Sequence, residues 1–134
     1  MDIDTILSTN QVSLVYHRDS KIVHHEFRQI VWGEQFRKVL MAGLELMRMS
    51  GSCKWLSDDR GNSGLSEADV TWADTVWFPA VQALGWKHWA VVMPRTVIGQ
   101  MNVQTWAAKF RDQGINAMAF ADPEAAMAWL EKQA

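Results

Sequence analysis

Trp86-Lys87-His88-Trp89-Ala90-Val91-Val92-Met93-Pro94 is the stretch that decides the fold. Its unbroken apolar centre, Ala90 to Met93, is that of a strand buried on both faces. Pro94 closes it, because proline cannot donate to a ladder. An amphipathic segment stands on either side. Upstream, Ser66 opens a helix with Asp69 three residues on, a capping box in its Asp form. Val70, Ala73, Trp77, Ala80, Val81 and Leu84 make its apolar stripe. Pro79 lies inside that stripe and lacks the N–H that would bond Thr75, which predicts a kink or break. Downstream, a helix over roughly Thr96 to Gln113 carries Val103, Trp106, Ala107 and Phe110, with an interruption near Gly99, Asn102 as an internal cap and Gly114 as its end.

The same alternation extends in both directions. Ile115 to Ala121 reads as a last strand, and Asp122-Pro123-Glu124 starts a final helix through Ala126, Met127 and Leu130. Toward the N-terminus, Cys53 to Asp58 is a short strand followed by the polar loop Asp59-Arg60-Gly61-Asn62-Ser63-Gly64. Before it, Phe36, Val39, Leu40, Gly43, Leu44 and Met47 repeat at helical spacing, with Glu34 in the first turn, Arg48 in the last, and Gly51 to stop the helix. Val12 to Arg18 and Lys21 to Arg28 pair as a hairpin through Asp19-Ser20. In its second strand Val23, His25 and Phe27 share one face, and Ile22, His24 and Glu26 the other. Residues 1–11 are assigned to a loosely ordered extension. The order β-β-α-β-α-β-α-β-α predicts an α/β fold over 1–134, a single domain with an N-terminal hairpin and a mostly parallel sheet covered by helices.

Composition excludes several classes of function. The chain has 134 residues, 49% hydrophobic and 21% charged, a globular balance that rules out disorder. Its longest runs free of charged residues, Thr5 to His17 and Thr96 to Ala108, hold 13 residues each and are too short to span a bilayer. An integral membrane protein is therefore not expected. A formal charge of −2 leaves no electrostatic footprint for nucleic acid. The single cysteine, Cys53, fits a reducing compartment, and the acidic start lacks an apolar signal core, so a cytoplasmic location is expected. The outlying number is 8 tryptophans. Trp77, Trp106 and Trp129 fit helix stripes, and Trp55 and Trp89 lie on central strands. Trp32 and Trp72 fall off the stripes, and Trp86 sits at a strand start.

Three local stretches carry a family resemblance: Glu26-Phe27-Arg28-Gln29-Ile30-Val31 into Glu34-Gln35-Phe36-Arg37, then Lys54-Trp55-Leu56-Ser57-Asp58-Asp59-Arg60, then Trp72 with Trp77-Phe78-Pro79. With Val91-Val92-Met93-Pro94 and Asp122-Pro123-Glu124-Ala125-Ala126, they make the chain resemble the small, mostly bacterial SpoIIAA-like proteins, related to STAS domains and CRAL-TRIO-type lipid binders. The resemblance implies an architecture more than an activity. Related anti-sigma-factor antagonists carry a phosphorylatable hydroxyl in an Asp-Ser-Ser-Gly-Leu type motif. Here Asn62-Ser63-Gly64-Leu65-Ser66 departs from it, with Asn for the Asp and one Ser missing.

The candidate binding residues are Asp58, Asp59, Arg60, Asn62, Ser63, Ser66, Trp72 and Trp77. The Asp58 to Gly64 loop follows the carboxyl end of a predicted parallel strand, where open α/β sheets collect ligands. The plainer alternative is a solvated turn with Asp59 paired to Arg60, and for Ser66 an N-cap. His24 and His25 face opposite ways and cannot share one ion. No catalytic residue, metal set or cofactor is assigned. The leading expectation is a non-enzymatic regulatory module acting through a protein partner. One alternative is a small apolar ligand or lipid in a Trp-lined pocket, and another is an enzyme using Asp58, Asp59 and Arg60. Met41, Leu46 and Met49 form a second apolar edge on the first helix, which points to a homodimer.

Overall fold

The structure, a computed structural model, describes residues 2–62 and 65–134. It is a mixed α/β fold built on one six-stranded sheet whose strands lie in chain order. These are β1 (Ile3–Ser8), β2 (Val12–His17), β3 (Ile22–Phe27), β4 (Lys54–Asp58), β5 (His88–Val92) and β6 (Asn116–Phe120). The first two pairings are antiparallel and the last three parallel. Strand β1 has no counterpart in the sequence reading, which leaves 1–11 outside the sheet. Its pattern is broken by a bulge between Thr5 and Leu7, and most of it is exposed, so alternation is hard to see there.

The connections follow from that order. Each parallel crossover steps the same way along the sheet, and crossovers of one hand must then stack on one face. Helix α1 (Gly33–Ser50) joins β3 to β4, and α4 (Val97–Asp112) joins β5 to β6. Between β4 and β5 the predicted break is a graded one. Helix α2 (Glu67–Trp72) passes into a π-helical turn, Ala73–Trp77, and then into α3 (Phe78–Ala83). Phe78 N–H donates to Ala73 O, and Pro79 stands in the first turn of α3, so the widened turn absorbs the missing proline donor. Helix α4, in contrast, runs unbroken through Gly99, with Thr96 Oγ accepting from Gly99 N–H at 3.0 Å. No helix among the described residues is long and apolar enough to cross a membrane.

Two cores result. On the face covered by α1 to α4, Phe36, Val39, Trp77 and Val103 pack on Val23, Trp55 and Val91. On the opposite face α5 (Pro123–Glu131) docks, with Ala126 and Leu130 against Ile22, Leu56, Ala90 and Val92. Gly43 lets α1 approach the sheet closely, since a Cβ there would overlap the Trp55 indole. Among the off-stripe tryptophans, Trp86 is buried, Trp72 is half-buried and Trp32 is 63% exposed. Trp106 and Trp129, expected in the core, are half-buried at its margin.

Candidate functional site

The end of β4 divides the predicted loop cluster. Alternation directs Trp55, Ser57 and Asp59 to the helix-rich face, and Leu56 and Asp58 to the other. Asp58 and Asp59 are adjacent in sequence and take part in separate constellations. This corrects the expectation that Asp58, Asp59 and Arg60 form one site and that Asp59 pairs with Arg60. Arg60 pairs with Asp58: Nε donates to Oδ1 at 2.9 Å and a terminal nitrogen to Oδ2 at 2.7 Å. Asp58 is 2% exposed, and the bidentate fork offsets the desolvation of its charge. Glu26 Oε2 lies 3.9 Å from the same guanidinium.

Asp59 turns inward to His25, the neighbour of Ser57 in the β3–β4 register. His25 Nε2 lies 2.9 Å from Asp59 Oδ1, and its Nδ1 accepts the indole N–H of Trp55 at 2.9 Å. An Nδ1 that accepts carries no proton, so the imidazole is neutral while both bonds stand, and Nε2–H donates to the carboxylate. Ser57 Oγ accepts the indole N–H of Trp89 at 2.8 Å. The turn after β4 then folds back: Asn62 N–H donates to Asp59 O at 3.0 Å and Gly61 N–H to Phe27 O at 3.2 Å. Gly61 is required here, because a Cβ would overlap the Phe27 and Arg28 carbonyls. That close approach carries Asn62 into the interior, where it is 6% exposed and its Oδ1 has no hydrogen-bond partner among the described residues.

These polar groups edge a cavity of about 70 Å³ between the sheet and helices α1 and α4, which runs from Trp55, Trp86 and Trp89 near the amino ends of β4 and β5 to Asp59, Asn62 and Pro94 past their carboxyl ends. Trp55, Trp77, Trp86, Trp89 and Trp106 line it, with Phe27, Phe36 and Phe110. The rings brace one another edge-to-face: Trp55 and Trp77 centroids are 5.2 Å apart, and Trp77 and Trp86 5.5 Å. The widened turn before Pro79 carries Trp77 inward, and its indole N–H donates to Leu40 O at 2.9 Å. Of the sequence candidates, Asp59, Asn62 and Trp77 meet at this cavity. His25, Ser57 and Trp89 are the members that sequence reasoning did not single out. The alternation that separates His24 from His25 would, applied to Asp58 and Asp59, have sent Asp59 to the face of His25.

The remaining candidates lie elsewhere. Ser66 is the exposed N-cap of α2, its Oγ accepting from Asp69 N–H at 3.2 Å. The capping box is only half formed, because the Asp69 carboxylate reaches across to Gly33 N–H at 2.8 Å and pins the start of α1. Trp72 stands outside the cavity, edge-on to Phe36 and beneath the Arg37 guanidinium at 5.5 Å. Ser63 lies outside the described residues.

The far face holds a second polar pair. His17 Nε2 and His24 Nδ1 are 3.1 Å apart, their rings stacked. Burial first, and then the neighbouring His17 and His25, push the His24 imidazole down to about 4. Burial lowers His17 as well. No group of three or more potential metal ligands is found among the described residues. Comparison with family models, with curated proteins and with solved structures finds no match to this chain.

Proposed function

We propose that the chain is a small-ligand-binding module of SpoIIAA-like, STAS-related architecture. The architecture is supported by the sequential strand order, with α1 to α4 stacked on one face. The observation that carries the ligand reading is the cavity itself: apolar walls along the helix-rich face of the sheet, and few polar groups, with Asp59 and Asn62 just past the carboxyl end of β4. Its volume is roughly half the ~150 Å³ of an apolar cavity that holds benzene, so the occupant is compact. The test is ligand-observed NMR with small probe molecules such as isopropanol, on wild type and on Val103→Phe, which narrows the cavity from α4. Probe binding that disappears in a folded Val103→Phe supports the reading. Absence of any binding, or binding indifferent to that substitution, overturns it.

A second reading, a docking surface for protein, is supported by apolar side chains left in solvent. Met41 and Met49 are exposed on α1, and Trp32 and Ile98 beside the sheet end. Self-association through α1 predicts twice the monomer mass by light scattering and its loss in Met49→Lys. A monomer at every concentration removes it.

A further inference from the structure

We infer that the aromatic cavity selects a compact organic cation, an alkylammonium of about four heavy atoms, over neutral or anionic molecules of the same shape. The inference rests on the ligand-binding reading above and adds the charge of the ligand. Three observations converge on it. The first is unspent acceptor capacity: Asn62 Oδ1 is buried at the cavity wall with no partner among the described residues. A buried acceptor left in that state is destabilising until a donor reaches it.

The second is an uncompensated charge. Asp59 is bonded to His25, which is neutral because its Nδ1 accepts from Trp55. No lysine or arginine is among the described residues lining the cavity, and the nearby Arg60 is engaged by Asp58 on the opposite face. Asp74, the other carboxylate at the wall, is held by Lys109 Nζ at 2.9 Å. A carboxylate beside a neutral imidazole attracts a cation and repels an anion.

The third is the engagement of the indole donors. Of the five indoles at the wall, four, those of Trp55, Trp77, Trp86 and Trp89, spend their N–H groups on protein acceptors. What these rings leave for an occupant is π surface, which favours cations, rather than donors, which would favour anions. Acceptor, carboxylate and π face are the complement of an ammonium group on a small apolar stem.

The experiment compares two isosteres, isopropylammonium and isopropanol, by calorimetric or NMR titration of the whole chain. The ammonium should bind about tenfold more tightly than the alcohol. Asp59→Asn should bring the ratio of ammonium to alcohol affinity from about ten to about one, and Asn62→Leu gives an independent fall in that ratio should Asp59→Asn not fold. Equal or tighter binding of isopropanol to wild type overturns the cation inference and leaves the cavity reading standing. Binding of neither probe overturns both. Cation binding that survives both substitutions at full strength also overturns the inference, since it must then lie elsewhere.

Discussion

The two faces of the central sheet carry the same residue types in different states. On the helix-rich face, a histidine and an aspartate, His25 and Asp59, meet under four crossover helices beside a ring of indoles. On the opposite face, their immediate sequence neighbours His24 and Asp58 find other partners, His17 and Arg60. One helix covers part of that face, against a whole layer on the other. Aromatic packing and indole hydrogen bonds dominate the first face, with the Asp59 carboxylate at its edge, and an arginine–carboxylate pair and a shifted imidazole mark the second. Adjacent residues on a strand thus belong to separate chemical systems, because the pleat turns them into separate dielectric surroundings.

Breaking the aromatic face should have the largest effect. Trp55 is 1% exposed, touches His25 and Trp77, and fills the space left by Gly43. Trp55→Ala should destabilise by about 3–5 kcal/mol in denaturant unfolding, and it leaves His25 Nδ1 without its donor. A loss below 1 kcal/mol would mean that the indoles do not form one packed unit.

Acid should act on the other face. The His24 imidazole titrates near 4 when folded and at 6.5 in its ordinary state, so between those values the unfolded chain binds a proton that the folded chain does not. Its contribution to stability is complete above pH 6.5 and falls as pH drops toward 4, by up to ~1.4 kcal/mol per pH unit. The lowered His17 adds in the same direction. Unfolding curves collected across this range should show the slope in wild type and a flatter one in His24→Asn.

Arg60→Ala sharpens the electrostatic half of the comparison. It leaves Asp58 buried with its closest remaining donor the residue-60 backbone N–H at 3.3 Å, and should destabilise by about 2 kcal/mol. Because Arg60 does not touch the cavity wall, ligand affinity should change little, and a large change in affinity would show the faces to be coupled. Trp32→Ala is the smallest perturbation. With 63% of its surface exposed, Trp32 should alter stability by less than ~0.5 kcal/mol, so a larger loss would assign it a packing role.

Much of this fold is legible in the sequence. The stripe from Phe36 to Met47, the run Ala90 to Val92 and the cap at Asp122 are local patterns, and each element formed where its pattern stands. Asp122 Oδ1 accepts from Ala125 N–H at 2.8 Å, as an N-cap should. The opposite facing of His24 and His25 was likewise readable, being a consequence of strand geometry alone. Strand β1 was not, since an exposed, bulged edge strand has little apolar alternation to display.

The candidate site was legible only in its ingredients. Sequence by itself determined the elements after β1, the sheet class and the abundance of tryptophan, because backbone periodicity and local caps are decided within a few residues. Tertiary structure alone decided that Asp59 meets His25, that Asp58 takes Arg60 instead, that the turn at Ala73–Trp77 widens and that Trp77 lines the cavity. Those outcomes depend on the register of β3 against β4 and on the close passage of Gly61 over the end of β3. Both arise from contacts between segments distant in the chain, which no local pattern encodes.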